Sequence, residues 1–593
     1  ALKQARGQTK NVRSASLPGN RVRPSLHLFL LLLATAVATA EVEIDFVEKD
    51  VDGLQENLLS RLRLAAEPCD APRPLVRRLF AGAEDDFRPA LRAFGYYQGE
   101  VDKQLSFGGD CWSASFSFDL GRRVSIRRRE IEISGEAAQD ETLGAVLASL
   151  PLPEGAPLHH GEYEAIKARL AQFAAERGYL DFAFTRQELR VYPDQEVADI
   201  HLGADSGPRY RFGELNISET PLDEEFIRRL AHLQPGEPYD ARATAALNRN
   251  LSDAGYFQSV EVRPRRDQAH DFVVPIDILL EQANQHAWRI GAGYSTDTGP
   301  RGSLRYDNRY VNPRGHRFEG ALSVSSVISS LAVDYVIPGD DPRHESFSVG
   351  ARLAHEDNDS SVSDSATLTA RHTIESAGWT QNRFIELLHE SSEVGQEDTV
   401  ATLLMPGIAF DRVLADDLFR TRRGYRVFAE GRAAADALLS TTDLLRFGAR
   451  VKGIYRFGEG GRLTGRTDVG TLFFADIDDL PASLRFFAGG DNSVRGYAWK
   501  SLGPKDEDGE ARGGKHLLTG GLEYEHPVFG DDWWAGAFID AGNAFDTSDF
   551  EVRYGYGAGV RWYSPVGRLR LDLAFPDDRE QDDWRIHFSL GAD

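Results

Sequence analysis

The sequence predicts three small α+β domains, each ordered strand, helix, helix, strand, strand, followed by a transmembrane antiparallel β-barrel of about 16 strands. Three observations lead to this fold class. The chain opens with an export signal but has no later apolar run long enough for a membrane helix. Its first half repeats a glycine–tyrosine motif at domain spacing. Its second half alternates apolar residues with small or polar ones.

Residues 1–40 have the three parts of a secretory signal peptide. Six basic residues and no acidic ones lie in residues 1–24, a mostly apolar run spans Leu28–Val37, and Ala38-Thr39-Ala40 is a small-x-small cleavage site. Removing those six positive charges takes the formal net charge from −24 to −30. A strongly acidic, exported protein is a poor candidate for binding nucleic acid, so we expect no nucleic-acid partner.

The chain contains two cysteines, Cys69 and Cys111, both in the first predicted domain. In an oxidising, exported compartment we expect them to form a single disulfide. Two unpaired buried thiols are the alternative. A metal site is disfavoured because two cysteines alone do not complete the four ligands of a structural zinc site.

A glycine–tyrosine pair recurs three times in the first half, at Gly95-Tyr96, Gly178-Tyr179 and Gly255-Tyr256. Successive pairs are 83 and 77 residues apart, which is the size of a small domain. Each glycine is expected to end a helix in the left-handed region, so that the chain can turn into a strand. Helices are predicted at residues 87–94, 163–177 and 241–254, and opening strands at 42–47, 131–133 and 211–217.

From about residue 286, apolar residues alternate with small or polar ones, which is typical of strands with one apolar face. Near the end, Leu569, Leu571 and Leu573 alternate with Arg568, Arg570 and Asp572. At roughly 19 residues for each strand and its loop, residues 286–593 accommodate about sixteen strands. The predicted boundaries are residues 1–40 for the signal peptide, 41–122, 123–206 and 207–283 for the three α+β domains, and 284–593 for the barrel.

One loop between predicted strands, residues 485–497, carries glycines and a single arginine near its end, Arg495. A later strand sets Asp540 on the face opposite Ile539. An arginine held by a carboxylate inside a barrel would fix a loop in the lumen, because the guanidinium group binds carboxylates with two parallel hydrogen bonds. The alternatives are a surface Arg-Gly turn and an Asp540 that is merely solvated.

Three such domains and a barrel with the segment Val494-Arg495-Gly496-Tyr497 resemble a known family. The repeats resemble POTRA domains (polypeptide-transport-associated modules) over about residues 41–283. The whole resembles the outer-membrane insertase and translocase superfamily that includes BamA. Within that superfamily it is most similar to the TamA family, because BamA-like proteins usually carry five POTRA domains and two-partner secretion transporters two.

The resemblance implies roles for individual residues. Arg495 would lie on a loop inside the lumen and pair with Asp540, with Glu523 as a second acidic partner. A lateral seam between residues 287–296 and 584–591 would open sideways, and its weakly paired edges could template a client strand. The residues assigned to this seam are Trp288, Ile290, Ala292, Tyr294, Phe588, Leu590 and Gly591.

The implied function is an outer-membrane insertase or translocase of a Gram-negative bacterium, with its POTRA domains in the periplasm. It would assist the assembly or secretion of β-barrel proteins such as autotransporters. The implied partners are a TamB-type periplasm-spanning protein, client barrels and outer-membrane lipid. No arrangement of catalytic groups is recognisable, and we expect no enzyme activity, cofactor or metal. The alternatives are a BamA-like or two-partner secretion transporter, a lipid-transport component and a passive diffusion channel.

Overall fold

The computed structural model describes residues 40–593 apart from 48–50, 110, 418–419, 459, 548–549, 566, 578–583 and 592–593. The predicted signal peptide therefore lies outside the described residues, except for Ala40. Among the helices that are described, none is both long enough and apolar enough to cross a membrane.

The first domain contains one helix more than the sequence predicted. Its elements are β1 (Glu41–Phe46), α1 (Leu54–Arg61), α2 (Arg73–Ala81), α3 (Ala83–Ala93), β2 (Glu100–Gly108) and β3 (Cys111–Asp119). The strands form a sheet of order β1-β3-β2, in which β1 runs parallel to β3. Gly82 separates α2 from α3, and α3 corresponds to the helix predicted at residues 87–94. Cys69 and Cys111 form a disulfide.

The second and third domains follow the predicted order. The second contains β4 (Ser125–Ser134), α4 (Leu143–Ser149), α5 (His160–Arg177), β5 (Ala183–Tyr192) and β6 (Val197–Asp205), with sheet order β4-β6-β5. The third contains β7 (Arg211–Ile217), α6 (Glu224–Ala231), α7 (Ala241–Asp253), β8 (Phe257–Pro264) and β9 (Val273–Gln282), with sheet order β7-β9-β8. In every sheet the last strand lies in the centre, so the first and middle strands are edges.

The glycines of the three Gly-Tyr pairs adopt the left-handed conformation, with φ of 87° at Gly95, 86° at Gly178 and 78° at Gly255. The predicted helix-ending role is therefore confirmed. Two of these glycines also lie against the next domain. A Cβ at Gly95 would stand 2.5 Å from the carbonyl oxygen of Leu158, and one at Gly178 would stand 2.8 Å from that of Tyr239. These two positions therefore admit no side chain without moving a domain joint.

Two adjacent histidines, His159 and His160, lie where the long helix of the second domain begins. His160 begins helix α5, and its Nε2 atom lies 2.8 Å from the hydroxyl of Tyr97. The ring of His159 packs edge-on against Phe94. Both histidines therefore belong to the joint between the first two domains.

The second half is a closed antiparallel barrel of sixteen strands, as predicted. The strands are β10 (His286–Ser295), β11 (Gly299–Asn308), β12 (Arg317–Ser325), β13 (Ile328–Pro338), β14 (Glu345–Asn358), β15 (Ser361–Ser376), β16 (Trp379–Val394), β17 (Glu397–Ala415), β18 (Arg423–Ala434), β19 (Leu444–Arg456), β20 (Arg462–Phe473), β21 (His516–Phe529), β22 (Trp533–Phe545), β23 (Arg553–Ser564), β24 (Gly567–Pro576) and β25 (Arg585–Gly591).

The alternation in the strands sorts side chains between the two faces of the barrel wall. Ile539 is 50% exposed on the outside, whereas its neighbour Asp540 is fully buried within the barrel. Leu571 and Leu573 are likewise exposed outside, with Asp572 buried between them. The wall thus presents apolar side chains outward and charged ones inward, as a membrane barrel requires.

An apolar cluster packs the loop after β20 against strands β16–β22 in the part of the barrel away from the third domain. Strand order places the hairpin turns after β16 and β18, and the long loop after β20, at that end. Buried Leu403 and Met405 of β17 pack there against residues of the loop. The cluster comprises Leu388, Ala401, Leu403, Met405, Ala434, Leu444, Leu472, Ala475, Ile477, Leu480, Leu484, Phe486 and Ala544.

Candidate functional site: the luminal loop and the barrel seam

The loop that joins β20 to β21, residues 474–515, runs inside the barrel. Val494, Tyr497 and Arg495 are at most 1% exposed. The hydroxyl of Tyr497 donates a 2.6 Å hydrogen bond to Asp577, which follows β24. Arg495 is therefore not part of a surface turn, which was the alternative considered for this residue.

The guanidinium group of Arg495 contacts three carboxylates. Its Nε atom lies 2.7 Å from Asp540 Oδ2, and its Nη1 atom lies 2.6 Å from Glu523 Oε2 and 2.9 Å from Asp572 Oδ2. Its face also packs on the ring of Phe538, 3.4 Å from the centroid. The structure thus brings Arg495, Asp540 and Glu523 together, as the resemblance implied, and adds Asp572. The inward orientation of Asp572 could have been inferred from its place between Leu571 and Leu573.

A second buried arginine shares these carboxylates, and sequence reasoning gave it no role. Arg561 of β23 lies 2.9 Å from both Glu523 and Glu525, and it also contacts Asp572. Arg561, Glu525 and Asp572 are fully buried. Because an isolated buried charge is strongly unfavourable, each member of this cluster depends on the others.

Further arginines extend this network along the inner wall. Arg466 lies 2.9 Å from Asp540, and Arg568 lies 2.6 Å from Glu525, which also contacts Arg462. The arginines come from the loop and from strands β20, β23 and β24, and the carboxylates from β21, β22 and β24. The loop is consequently fixed to one side of the wall, which includes the strand next to β25.

Two glycines allow this close approach. Gly496 has φ of 98°, a conformation that favours glycine, and a Cβ there would stand 3.0 Å from the backbone nitrogen of Pro576. On the facing wall, a Cβ at Gly555 would overlap the carbonyl oxygen of Arg495. The glycine in the Val494–Tyr497 segment and the glycine in β23 therefore set how near the loop lies to the wall.

The seam between the first and last strands is short. Only two residue pairs in the described part of the chain join β10 to β25, Tyr294 with Leu590 and Ser295 with Ser589. One further contact follows, where Thr296 N–H donates to the carbonyl oxygen of Phe588 at 3.0 Å. By contrast, β25 pairs with β24 along the whole of 585–591.

Of the residues predicted for the seam, Tyr294 and Leu590 pair directly across it. Trp288, Ile290 and Ala292 pair with β11 but with no described residue of β25. Ile290 is 86% exposed. Gly591 pairs with Arg568 of β24 and not with β10. The number of pairs depends on how the strands tilt as the barrel closes, and alternation within a strand does not report that tilt.

Three potential metal-ligating groups meet next to the seam. Asp297, Asp491 and His587 place one ligand atom each within 4.8 Å of one another. Burial, followed by the negative charge of Asp491, raises the pKa of Asp297 to about 6. However, both ring nitrogens of His587 are already hydrogen bonded, to Asp491 and to the backbone of Gly496. The group is thus a hydrogen-bonded cluster in which His587 has no nitrogen left for a metal.

The third α+β domain is bound to the turns of the barrel nearest to it. The hydroxyl of Tyr256 donates a 2.7 Å hydrogen bond to the carbonyl oxygen of Gly315, and Arg309 donates a 2.8 Å bond to that of Gly255. Arg229 of α6 donates to the carbonyl oxygen of Gly339 at 2.7 Å. The third Gly-Tyr pair is thus a joint between domain and barrel.

Models of protein families match three parts of the chain. A model described as the Omp85 superfamily domain matches residues 284–593. A model described as POTRA domain TamA domain 1 matches residues 41–119, and one described as a surface antigen variable number repeat matches residues 210–279.

Curated relatives and solved structures show the same similarity. Outer membrane protein assembly factor BamA of Nitratidesulfovibrio vulgaris is 23% identical over 453 residues, which are 71% of this chain and 56% of that protein. BamA of Neisseria meningitidis is 20% identical over 511 residues, covering 73% and 63%. The chain spans less than two thirds of the length of these relatives. A crystal structure of BamA from Haemophilus ducreyi, lacking POTRA domains 1–3, matches 79% of this chain and 100% of its own, with 16% identity and a TM-score of 0.66.

Proposed function

Because the chain belongs to the Omp85 superfamily, we propose that it is an outer-membrane insertase or translocase that assists the assembly or secretion of β-barrel proteins. The observation that carries this proposal is the short seam. Two residue pairs join β10 to β25, so separating these strands breaks far fewer backbone hydrogen bonds than separating any other neighbouring pair in the barrel would.

The first strand offers a place for a client to bind. Residues 286–293 of β10 pair with β11 on one side and with no described strand on the other. An unpaired strand edge is a template for adding a further strand. This stretch follows directly on β9 of the third domain, which ends at Gln282. A client segment that reaches the third domain would therefore meet the open edge next.

The charged network suits this function better than passive diffusion. The loop lies in the lumen, and an apolar cluster packs it against strands β16–β22. A diffusion channel needs an aqueous path along its axis, whereas an insertase needs a wall that opens sideways. Fixing the loop to strands β20–β24 stabilises that wall while leaving the contact between β10 and β25 short.

For the specific role we favour a TamA-like protein that works with a TamB-type periplasm-spanning partner. Support comes from the number of POTRA-like domains and from the match of residues 41–119 to a model described as TamA domain 1. Exposed edge strands in each domain, such as β2 and β5, are candidate contact sites for this partner. A BamA-like protein and a two-partner secretion transporter are the alternatives within the family.

The test is site-specific photocrosslinking in cells from Ile290, with Ile539 as the matched control. Both residues are exposed isoleucines on the outer face of the barrel, but β22, which carries Ile539, is paired on both sides. We expect nascent barrel segments to be trapped from position 290 and not from 539. Trapping of lipid or lipid-transfer proteins alone would contradict the proposal and favour lipid transport. Equal trapping of clients at both positions would contradict the role of the seam.

A further inference from the structure

One carboxylate of the luminal loop contacts both strands of the seam. Asp491 is 2% exposed. Its Oδ2 atom accepts a 3.0 Å hydrogen bond from the hydroxyl of Ser295, and its Oδ1 atom accepts one of 3.0 Å from that of Thr296. On the other side of the seam, Oδ1 lies 2.6 Å from Nδ1 of His587. The side chain thus joins the end of β10 to β25.

The backbone of the same residue extends these contacts. The N–H of Asp491 donates a 2.7 Å hydrogen bond to Asp297 in the turn after β10, and its carbonyl oxygen accepts one of 3.1 Å from Arg570 of β24. Thr296 adds a direct link, because its hydroxyl oxygen also accepts the N–H of Phe588 at 3.1 Å. Asp491 therefore touches the first strand, its turn and the last two strands.

The tautomer of His587 follows from the hydrogen bond that its Nε2 atom makes. The backbone N–H of Gly496 lies 2.9 Å from Nε2 of His587, and an N–H can only donate. Nε2 is therefore the acceptor, and the proton on Nδ1 is donated to Asp491. Gly496 follows Arg495 directly, so the position of the loop in its network of carboxylates fixes the ring on β25 to which Asp491 binds.

The strand pairing of the seam is weak compared with these contacts. Two residue pairs join β10 to β25, whereas Asp491 receives three side-chain hydrogen bonds from the same two elements and the turn that follows β10. Hydrogen bonds to a charged, buried acceptor are stronger than those between neutral groups. Much of the closure of the seam therefore resides in the loop and not in the sheet.

We propose that Asp491 is a latch that keeps the seam closed, and that movement of the luminal loop releases it. This inference rests on the proposed function, in which opening of the seam admits a client. The trigger is defined by its chemistry: a client strand that pairs with β10 and draws both Ser295 and Thr296 away from Asp491 removes two of its hydrogen bonds. The loop then loses its hold on β25 as well.

The latch can be tested without any client. Cysteines at Tyr294 and Leu590, which are directly paired, would report closure of the seam through their rate of oxidative crosslinking in the purified full-length chain. The native cysteines do not interfere, because they are bonded to each other. Asp491→Asn keeps the shape and removes the charge, and we expect it to increase the ratio of open to closed seam by about tenfold or more.

Two further variants separate a latch from a general loss of stability. Asp468→Asn removes another luminal carboxylate, the partner of Arg450 on β19, and should leave the crosslinking rate unchanged. Thr296→Val keeps the size of the side chain but removes one of the hydroxyl groups that bind Asp491, and should give a smaller increase than Asp491→Asn. All variants must retain the gel mobility of the folded barrel.

A crosslinking rate in Asp491→Asn equal to that of the parent would overturn the latch, and so would an equal effect of Asp468→Asn. Neither result would bear on the proposed function, which is judged separately by the clients trapped from Ile290. Conversely, failure to trap clients would not change the measured closure of the seam. It would contradict the part of the proposal in which a client releases the latch.

Discussion

The carbonyl oxygen of Arg495 occupies the space that a side chain at Gly555 would fill. The backbone of the loop thus contacts the backbone of β23 at Arg495, the residue whose guanidinium group binds the carboxylates. This contact explains why the arginine can reach Asp540, Glu523 and Asp572 together.

A methyl group at this position should therefore displace the loop. We expect Gly555→Ala to cost about 1–3 kcal/mol in loop docking, because the added atom forces the backbone of Arg495 away from the wall. Limited proteolysis of residues 474–515 in the folded protein measures this as faster cleavage. Gly448→Ala is the control, since a Cβ at Gly448 would meet nothing within 4 Å. Equal cleavage rates in the two variants would contradict the proposed close packing.

Removing the arginine itself should leave three carboxylates without their shared partner. We expect Arg495→Ala to retain a folded barrel but to destabilise loop docking by roughly 3–5 kcal/mol and to impair client assembly. The matched control is Arg450→Ala, which removes an exposed luminal arginine that pairs with Asp468. Unchanged protease sensitivity of the loop together with normal client assembly would show that Arg495 has no such role.

Asp297 should act against the latch at neutral pH. Burial, followed by the negative charge of Asp491, raises the pKa of Asp297 to about 6, so its ionised form is disfavoured in the closed seam. This unfavourable contribution is absent below the ordinary pKa of 3.8 and is complete above about pH 6. We expect Asp297→Asn to tighten the seam at pH 7.5, by about tenfold in the ratio of closed to open forms, and to have little effect near pH 4.

Crosslinking between cysteines at Tyr294 and Leu590 measures this effect. His587, Arg570 and Arg585 carry charge or can titrate near the same place, but they are common to both proteins, so the difference between variant and parent isolates Asp297. Asp364→Asn, at an exposed carboxylate on β15, controls for a change in net charge. A looser seam in Asp297→Asn at pH 7.5 would contradict the prediction.

A separate prediction concerns the second α+β domain. Burial acts to raise the pKa of Asp140, but hydrogen bonds from the hydroxyl and N–H of Thr142, from Arg177 and from Tyr179 outweigh it and lower the pKa to about 2. A lowered carboxylate pKa contributes stability above the unfolded value, and this contribution is lost as the pH falls through the folded value. We expect Asp140→Asn to destabilise this domain by about 2 kcal/mol at pH 7 and by progressively less below pH 4.

Urea unfolding followed by helical circular dichroism measures this effect in the full-length chain. All seven described α-helices lie in the three α+β domains, so the helical signal reports on these domains and not on the barrel. Asp194→Asn, at an exposed position of the same domain, is the control. A loss of stability in Asp140→Asn that stayed constant down to pH 2 would exclude the carboxylate as its source.

The sequence predicted the features that depend on local periodicity. Alternation placed Asp540 and Ile539 on opposite faces, and the same rule applied to Leu571 and Leu573 would have placed Asp572 on the inner face, where Arg495 binds it. The left-handed glycines at Gly95 and Gly178 followed from helix-ending preferences. Each of these depends on residues close together in the chain.

The features that sequence reasoning missed depend on closure of the barrel. Asp491 and His587 are 96 residues apart, and Ser295 and Asp491 are 196 apart. They meet because the last strand closes the barrel against the first, and because the loop after β20 lies beside both strands. The extent of the seam depends on the tilt of all sixteen strands, which no single strand encodes.

The apolar cluster around Leu403 and Met405 bears on the permeability of the membrane. A barrel of this size with an empty centre would admit water and bulky solutes whenever its wall was disturbed. Here an apolar cluster packs the loop against strands β16–β22 inside the barrel, and none of its members comes from β10 or β25. Separation of the seam would therefore leave these contacts in place. Under the proposed function, a cell that carries this protein should stay resistant to large hydrophilic antibiotics while the seam is open.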